Sequence, residues 1–227
     1  MKITYYGHST ILVEGGNKRV IIDPFLSGNP HAVIKSGDVK VDAILLTHGH
    51  NDHFGDSIEI ARNNNCPIIA IVELADYWES KGVKTIGMNI GGKYKLEGVT
   101  VKFTLAFHSS SVETENGPIY AGEPAGILLT MEGKTFYHAG DTGLFGDMRL
   151  IGELNQIDAA ALPIGDFFTM GPEDALIAAE WIRAKRVIPI HYNTFPIIEQ
   201  NGTAFCNALQ EKGIQGIALQ IGESIEI

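Results

Sequence analysis

The stretch LLTHGHNDHFGD, residues 45–56, places three histidines and an aspartate directly after an apolar run. His48 and His50 are two residues apart, so on an extended segment their side chains project to the same side. Asp52 and His53 follow them and can reach an adjacent position around the turn. Neutral imidazoles suit zinc, and a carboxylate adds a hard anionic ligand that manganese and iron also accept. The pattern therefore predicts a metal site where a strand meets a loop.

Three later segments end in residues of the same chemical kind. His108 closes VTVKFTLAFH, His138 and Asp141 close KTFYHAGD, and His191 closes RVIPIH. Sites in α/β sheets collect at the carboxyl ends of strands, so these side chains are expected to converge. The candidates for direct ligation outnumber the four ligands of one tetrahedral metal, which fits two metals that share a bridging carboxylate. They are His48, His50, Asp52, His53, His108, Asp141 and His191.

Four further polar residues each allow two interpretations. His8 lies either at a pocket rim or in a structural position, and His138 is expected to support the site or the fold rather than to bind a metal. Asp23, at the end of the strand in IIDPF, either orients a metal-bound histidine or closes the strand as an Asp-Pro pair. Asn193 either donates to a polar substrate or closes a turn.

The loops that follow the predicted strands are expected to face the substrate. They are SGNPH, HSSSVETENGPIYAGEP, GDFFTMGP and HYNTFP. Ser109 and Thr194 are candidate hydrogen-bond donors there, and Phe167, Phe168 and Phe195 are candidates for an apolar wall.

The order of the predicted elements indicates two similar halves placed face to face. Short β-branched runs fill the first third, and the run DAILLT, residues 42–47, reads as a strand buried on both faces. Strands then alternate with helices, return from residue 94, and alternate with helices again. The later helices are PEDALIAAEWIRAK, which begins at Pro172, and a last one at about 199–212, followed by a strand GIALQI.

Composition limits the partners of this chain. Of its 227 residues, 44% are hydrophobic and 19% are charged, as in ordered globular proteins. The net charge of −10 repels phosphate backbones, so no nucleic acid is expected as a partner, although a bound metal would allow a small anionic substrate.

No apolar run approaches the ~18 residues of a membrane span. Cys66 and Cys206 form no CxxC pair, and with no apolar signal core in MKITYYGHST we expect a cytoplasmic protein.

The sequence resembles the metallo-β-lactamase superfamily, and within it the UPF0173 branch of metal-dependent hydrolases, which is similar to ascorbate-6-phosphate lactonase-like proteins. The resemblance covers essentially the whole chain through YYGHST, IIDPFLSGNP, THGHNDHFGD, IGGKY, YHAGDTGLF and IHYNTFP. The HxHxDH pattern alone marks the superfamily, whereas YHAGDTGLF together with SGNP and HYNTF is more specific to the branch.

The resemblance implies an α/β fold, a four-layer αββα sandwich with the site at one edge of the inner sheets. Residues 1–227 would form a single metallo-β-lactamase-like hydrolase domain. By position, the first metal would be held by His48, His50 and His108. The second would be held by Asp52, His53 and His191, and Asp141 would bridge the two.

The expected function is that of a metal-dependent hydrolase with a dinuclear metal centre. A hydroxide that bridges the two metals would attack a small carbonyl ester or lactone, and Asp52 would be the catalytic residue that orients it. A phosphodiesterase acting on a small phosphorylated metabolite and a non-catalytic metal-binding protein are the alternatives. Two divalent ions per chain are expected, zinc first, with manganese, nickel and iron as alternatives. The expected partner is a small-molecule substrate, and no association with a membrane is expected. A homo-oligomer is compatible with the sequence.

Overall fold

Two seven-stranded sheets form the centre of the protein. The structure is a computed structural model that describes all of residues 1–227. The strands are β1 (Lys2–Tyr5), β2 (Ile11–Gly15), β3 (Lys18–Ile22), β4 (Ala43–Leu45), β5 (Ile68–Ile71), β6 (Thr85–Met88), β7 (Lys93–Leu96), β8 (Val99–Leu105), β9 (Ser111–Thr114), β10 (Gly117–Tyr120), β11 (Ala125–Met131), β12 (Lys134–His138), β13 (Ala159–Pro163), β14 (Arg186–Ile190), β15 (Gln215–Gly216) and β16 (Ser224–Glu226). The α-helices are α1 (Asn51–Phe54), α2 (Ser57–Asn64), α3 (Val72–Glu79), α4 (Met148–Leu154), α5 (Pro172–Ile182) and α6 (Gly202–Glu211).

The two sheets are built in the same way. The first has the order β16-β1-β2-β3-β4-β5-β6, antiparallel from β1 to β3 and parallel from β3 to β6. The second has the order β15-β14-β13-β12-β11-β8-β7, antiparallel from β7 to β12 and parallel from β12 to β15. Each half therefore starts as an antiparallel meander and continues as a parallel sheet with helical crossovers. This agrees with the predicted succession of strand-rich and alternating segments.

Alternation along the strands divides the apolar residues among three cores. In β3, Val20 and Ile22 point into a cluster of 23 buried residues between the sheets, while Ile21 points into a cluster of 19 residues beneath α2 and α3. A third cluster, of 18 residues, lies between the second sheet and α4, α5 and α6. Three cores separate four layers, so the predicted αββα sandwich is confirmed.

Hydrogen bonds tie the two sheets together at the edge where the parallel strands end. The backbone N–H of Ala125 donates to the carbonyl of Thr47 over 2.9 Å. The N–H of His191 donates to the carbonyl of His8 over 2.7 Å. These bonds cross from one half of the chain to the other, so the loops of both halves meet at a defined distance.

Local signals explain where the later helices begin. Pro172 occupies the first turn of α5, and Glu173 and Asp174 beside it carry the negative charge that a helix N-terminus favours. The last helix begins at Gly202 rather than at 199, because the side-chain oxygen of Asn201 caps it by accepting from the N–H of Ala204. None of the six helices combines the length and the apolar character that a bilayer crossing requires.

Several elements depart from the sequence prediction. Strand β6 and helix α4 were not predicted, and β9 and β10 form a separate hairpin inside the stretch that was interpreted as a loop. Of the predicted strand GIALQI, residues 216–221, only Gly216 pairs with β14, next to Gln215. Leu219 is nevertheless buried in the core between the sheets, so its apolar character reflects packing without a strand partner.

Gly152 sets the approach of α4 to α5. A Cβ atom at this position would lie 2.2 Å from the backbone oxygen of Trp181 and 2.7 Å from the carbonyl carbon of Ile182. Backbone atoms in a packed helix cannot move aside cheaply, so we predict that Gly152→Ala lowers the free energy of unfolding by about 1–3 kcal/mol, despite the better helix propensity of alanine.

Urea denaturation at a fixed metal concentration would measure this loss. Gly146→Ala is the matched control, because no atom lies within 4 Å of its added Cβ, and its expected change is within about 0.5 kcal/mol. Equal stabilities of the two variants would contradict the proposed tight helix contact.

Candidate metal centre

All seven predicted ligands meet at the edge of the sandwich where the parallel strands end. His48, His50, Asp52 and His53 follow β4, and the remaining three follow strands of the second sheet. Five of the seven line a cavity of about 390 Å³, namely His50, Asp52, His108, Asp141 and His191, together with Ser109 and Phe168. The site is therefore assembled from both halves of the chain.

Three histidines form a first group whose nitrogen atoms all lie within 4.8 Å of one another: His48, His50 and His108. The closest pair is His48 Nε2 and His50 Nδ1, which are 3.0 Å apart. Two ligands of a tetrahedral zinc ion, each about 2.1 Å from the metal, lie roughly 3.4 Å from each other. The spacing of this group therefore suits one metal ion.

A glycine between the first two of these histidines lets the loop pack closely. A Cβ atom on Gly49 would lie 2.8 Å from the Cβ of Ala121 and 3.0 Å from the carbonyl oxygen of Ser111. The N–H of Gly49 also donates to Ser110 Oγ over 3.2 Å. The hairpin of β9 and β10 thus supports the histidine loop from the side.

A second group joins residues of α1 to residues at the ends of β1 and β14. It consists of His8, Asp52, His53 and His191, whose ligand atoms again lie within 4.8 Å of one another. Asp52 Oδ2 lies 3.0 Å from His8 Nε2, 3.8 Å from His191 Nε2 and 4.0 Å from His53 Nε2. This group could hold a second ion.

Asp141 lies between the two groups. Its Oδ2 is 3.0 Å from the Nε2 of His191 and 3.2 Å from that of His53, both in the second group. The same oxygen is 3.7 Å from the Nε2 of His108 and 4.0 Å from that of His48, both in the first group. One carboxylate oxygen is thus within reach of imidazoles from both groups.

A fully buried carboxylate behind the cavity orients two of the histidines. Asp23 accepts hydrogen bonds at Oδ2 from His53 Nδ1 over 2.8 Å and from Thr47 Oγ1 over 2.6 Å, and at Oδ1 from the N–H of Thr47 over 2.9 Å. The hydroxyl of Thr47 in turn accepts from His48 Nδ1 over 2.9 Å. Both rings therefore keep their protons on Nδ1, and the lone pairs of Nε2 point into the site. This geometry agrees with the interpretation of Asp23 as a residue that orients a histidine. The hydrogen bonds of Thr47 were not predicted from the sequence.

Polar atoms inside the cluster lack hydrogen-bond partners. They include the Nε2 atoms of His53 and His191 and the Oδ1 atom of Asp141, all of which are buried. A buried polar atom without a partner destabilises a fold by about 1–3 kcal/mol, so native structures rarely leave several together. Imidazole nitrogens and carboxylate oxygens are the atom types that bind metal ions, and the two Nε2 atoms lie 3.2 and 3.0 Å from Oδ2 of the same Asp141 carboxylate. The residues present therefore fit a metal centre.

The electrostatics of the cluster follow from its crowding. Burial would raise the pKa of Asp141, but the imidazoles of His191 and His53 hold it well below the usual range of a carboxyl group. Burial would lower the pKa of His191, but Asp141 and Asp52 raise it to about 9. In the metal-free chain, this part of the site therefore holds protons that a metal ion has to displace.

The other predicted residues lie beside the centre. Burial and the neighbouring His191 lower the pKa of His8 to about 4, and its neutral ring bridges Thr194 Oγ1 over 2.9 Å and Asp52 over 3.0 Å. Both ring nitrogens of His138 are used by the backbone, one by donation to the carbonyl of Ser9 and one by acceptance from the N–H of Gly140. The ring of His138 therefore joins two backbone segments of the fold.

Asn193 does not line the metal cavity. Its side-chain oxygen accepts from the N–H of Gln200 over 2.8 Å, which closes the loop after β14. Together with His8 and Thr194, it borders a separate cavity of about 560 Å³. The turn-closing interpretation of Asn193 agrees with this geometry.

Comparison with known proteins gives the family. A model described as the beta-lactamase superfamily domain matches residues 18–192. The chain is 58% identical over 228 residues to the UPF0173 metal-dependent hydrolase of Geobacillus thermodenitrificans, with all of both chains covered. It is 56% identical over 229 residues to the UPF0173 metal-dependent hydrolase of Bacillus cereus, again over the whole of both.

A solved structure agrees with these sequence matches. The metallo hydrolase Igni18 of Ignicoccus hospitalis superposes with a TM-score of 0.90 at 37% identity, which covers 99% of this chain and 97% of that one. The resemblance inferred from the motifs is thus confirmed. The chain belongs to the beta-lactamase superfamily, in its group of UPF0173 metal-dependent hydrolases.

Proposed function

We propose that the protein hydrolyses a small carbonyl ester or lactone at a centre of two divalent metal ions, zinc before manganese, nickel or iron. The convergence of both ligand groups on Asp141 Oδ2 supports this proposal. His48, His50 and His108 would hold the first ion, Asp52, His53 and His191 the second, and Asp141 would bridge them. His8 is left out because its two ring nitrogens already serve Thr194 and Asp52.

Two divalent ions so placed would supply a bridging hydroxide at neutral pH, by lowering the pKa of a shared water toward 7, and would polarise the carbonyl oxygen of the substrate. The protein offers no competing nucleophile. Ser109 carries the one hydroxyl group that lines the cavity, and it makes no hydrogen bond to a histidine or carboxylate that could activate it. Water is therefore the attacking group, and the products are the acid and the alcohol of the ester.

Asp52 is the residue best placed to handle the proton of that water. Its side chain is 32% exposed toward the cavity, whereas that of Asp141 is 3% exposed. Burial would raise the pKa of Asp52, but His53, His191 and His8 lower it well below the usual range, so the carboxylate is ionised. Asp52 would orient the nucleophile by accepting a hydrogen bond from it and would help to pass its proton to the departing alkoxide.

Hydrolysis of 4-nitrophenyl acetate by metal-loaded protein tests this proposal. We expect Asp52→Ala to lower kcat/KM by about 10²–10⁴-fold, because a positioned acid–base group contributes that much. Asp38→Ala, which removes an exposed carboxylate in the turn before β4, should match the wild type. Turnover of bis(4-nitrophenyl) phosphate without any hydrolysis of the ester would contradict carbonyl chemistry and favour the phosphodiesterase alternative.

Metal content tests the bridging position of Asp141. We expect Asp141→Ala to retain about one ion per chain or fewer after desalting, against about two in the wild type, because both ions lose a shared anionic ligand. Elemental analysis by plasma mass spectrometry gives this ratio directly, with Asp38→Ala as the control. Two retained ions in Asp141→Ala would refute the bridge.

Metal affinity should depend on pH in a direction that the charged cluster determines. The pKa of His53 is raised well above its usual value, since Asp141 and Asp23 outweigh the effect of burial, and that of His191 is about 9. Both ligands bind metal only when neutral, so the affinity should increase by about tenfold or more from pH 6 to pH 8. Calorimetric titration in buffers of different ionisation enthalpy should show proton release, and an affinity independent of pH would contradict this.

A further inference from the structure

We propose that the substrate of this centre is uncharged and carries an apolar group, and that Phe168, supported by Phe167, binds that group at the mouth of the cavity. The inference rests on the proposed function and names the class of ester or lactone that it acts on. It follows from three observations: an exposed aromatic pair beside the candidate ligands, a rigid turn that carries it, and the absence of lysine and arginine from the segments around the site.

The aromatic pair is continuous with the metal site. Phe168 lines the same cavity as His50, Asp52 and His191. Its ring packs edge-on against that of Phe167, with the centroids 4.8 Å apart. Phe167 is 68% exposed and Phe168 is 51% exposed, although large apolar side chains are usually buried. A substrate group that covers these rings would remove apolar surface from water at the place where the reaction occurs.

The turn that carries the pair is held in an unfavourable backbone conformation. Asp166 and Phe167 have φ angles of 60° and 36°, in the left-handed region that a phenylalanine rarely adopts. The N–H of Asp166 donates to the carbonyl of Met170 over 3.0 Å, and the N–H of Met170 donates to that of Thr142 over 2.9 Å. Met170 is itself buried, and Thr142 follows the bridging Asp141. The backbone that carries the exposed rings is thus fixed relative to the candidate ligands, and strain of this kind is concentrated at functional sites.

No lysine or arginine lines the cavity to pair with a charged substrate. The segments that carry the site residues contain neither lysine nor arginine: 23–30, 47–56, 106–110, 139–147, 164–171 and 191–195. Arg149, which comes soon after one of them, stacks on the ring of Trp181 with 4.4 Å between its guanidinium carbon and the ring centroid. Asp147 and Asp166 instead add negative charge. A phosphate or carboxylate away from the reacting bond would meet none of the partners that usually bind it.

Binding of alkyl hydroxamates to the zinc-loaded protein tests the inference without catalysis, since the hydroxamate head binds a metal and the tail reports on the cavity mouth. The probes are acetohydroxamate, hexanohydroxamate and the monohydroxamate of succinic acid, measured by calorimetry. Each methylene group buried strengthens binding by about fourfold, so hexanohydroxamate should bind the wild type at least about tenfold more tightly than acetohydroxamate. The succinic probe should bind no better than acetohydroxamate.

Three variants identify the ring responsible. Phe168→Ala should reduce the hexano-to-aceto ratio to about twofold or less at unchanged metal content, and Phe168→Leu should restore most of it. Leu154→Ala, which removes a side chain that is 74% exposed at the end of α4, should keep the wild-type ratio. An equal affinity of the wild type for both alkyl probes, a ratio retained in Phe168→Ala, or tightest binding of the succinic probe would overturn the inference.

The same proteins separate this inference from the proposed function. Chain-length-dependent binding without any hydrolysis of 4-nitrophenyl acetate would leave the apolar anchor in place and reject the ester chemistry. Hydrolysis that depends on Asp52, combined with equal binding of both alkyl probes, would support the ester chemistry and reject the apolar anchor.

Discussion

The hydrogen bonds of Asp23 are the constraint on which the rest of the site depends. This carboxylate is completely buried at the end of β3, and it reaches the neighbouring parallel strand β4 through Thr47 and the helix α1 through His53. A buried carboxylate is tolerated only when its oxygens are paired, so the ends of β3, β4 and α1 are held together. The same bonds fix the tautomers of His53 and His48, so the Nε2 lone pairs of both rings point into the site.

The second half of the chain completes this arrangement because the two sheets meet by direct hydrogen bonds at the same edge. The bond from the N–H of His191 to the carbonyl of His8 places one ligand loop against the loop that supports Asp52. The side chain of His138 repeats the connection through Ser9. Side chains that are more than a hundred residues apart in the chain therefore share one small volume, and the fold needs no long or mobile loop to bring them there.

The convergence of the seven candidate ligands could be predicted because they are polar where polarity is destabilising, directly after buried strands. The sequence allowed two interpretations of Asp23 and did not predict the role of Thr47. A threonine before a histidine is common, and its hydrogen bonds depend on which strands become neighbours. Helix α4 escaped prediction because it contains Gly152, has no side-chain cap and has no acidic residue in its first turn. The hairpin of β9 and β10 was taken for a loop because its strands are short and largely exposed.

The division of the ligands between the two halves has a consequence for the biogenesis of the protein. Four of the seven candidate ligands lie between residues 48 and 53, but the last, His191, follows the penultimate strand of the second sheet. During synthesis, all residues of the core beneath α2 and α3 have been added by Ala121, long before the ligand set is complete. Ions held as proposed above would cross-link early and late parts of the polypeptide, so full metal loading would require that the chain has been finished and both sheets have docked.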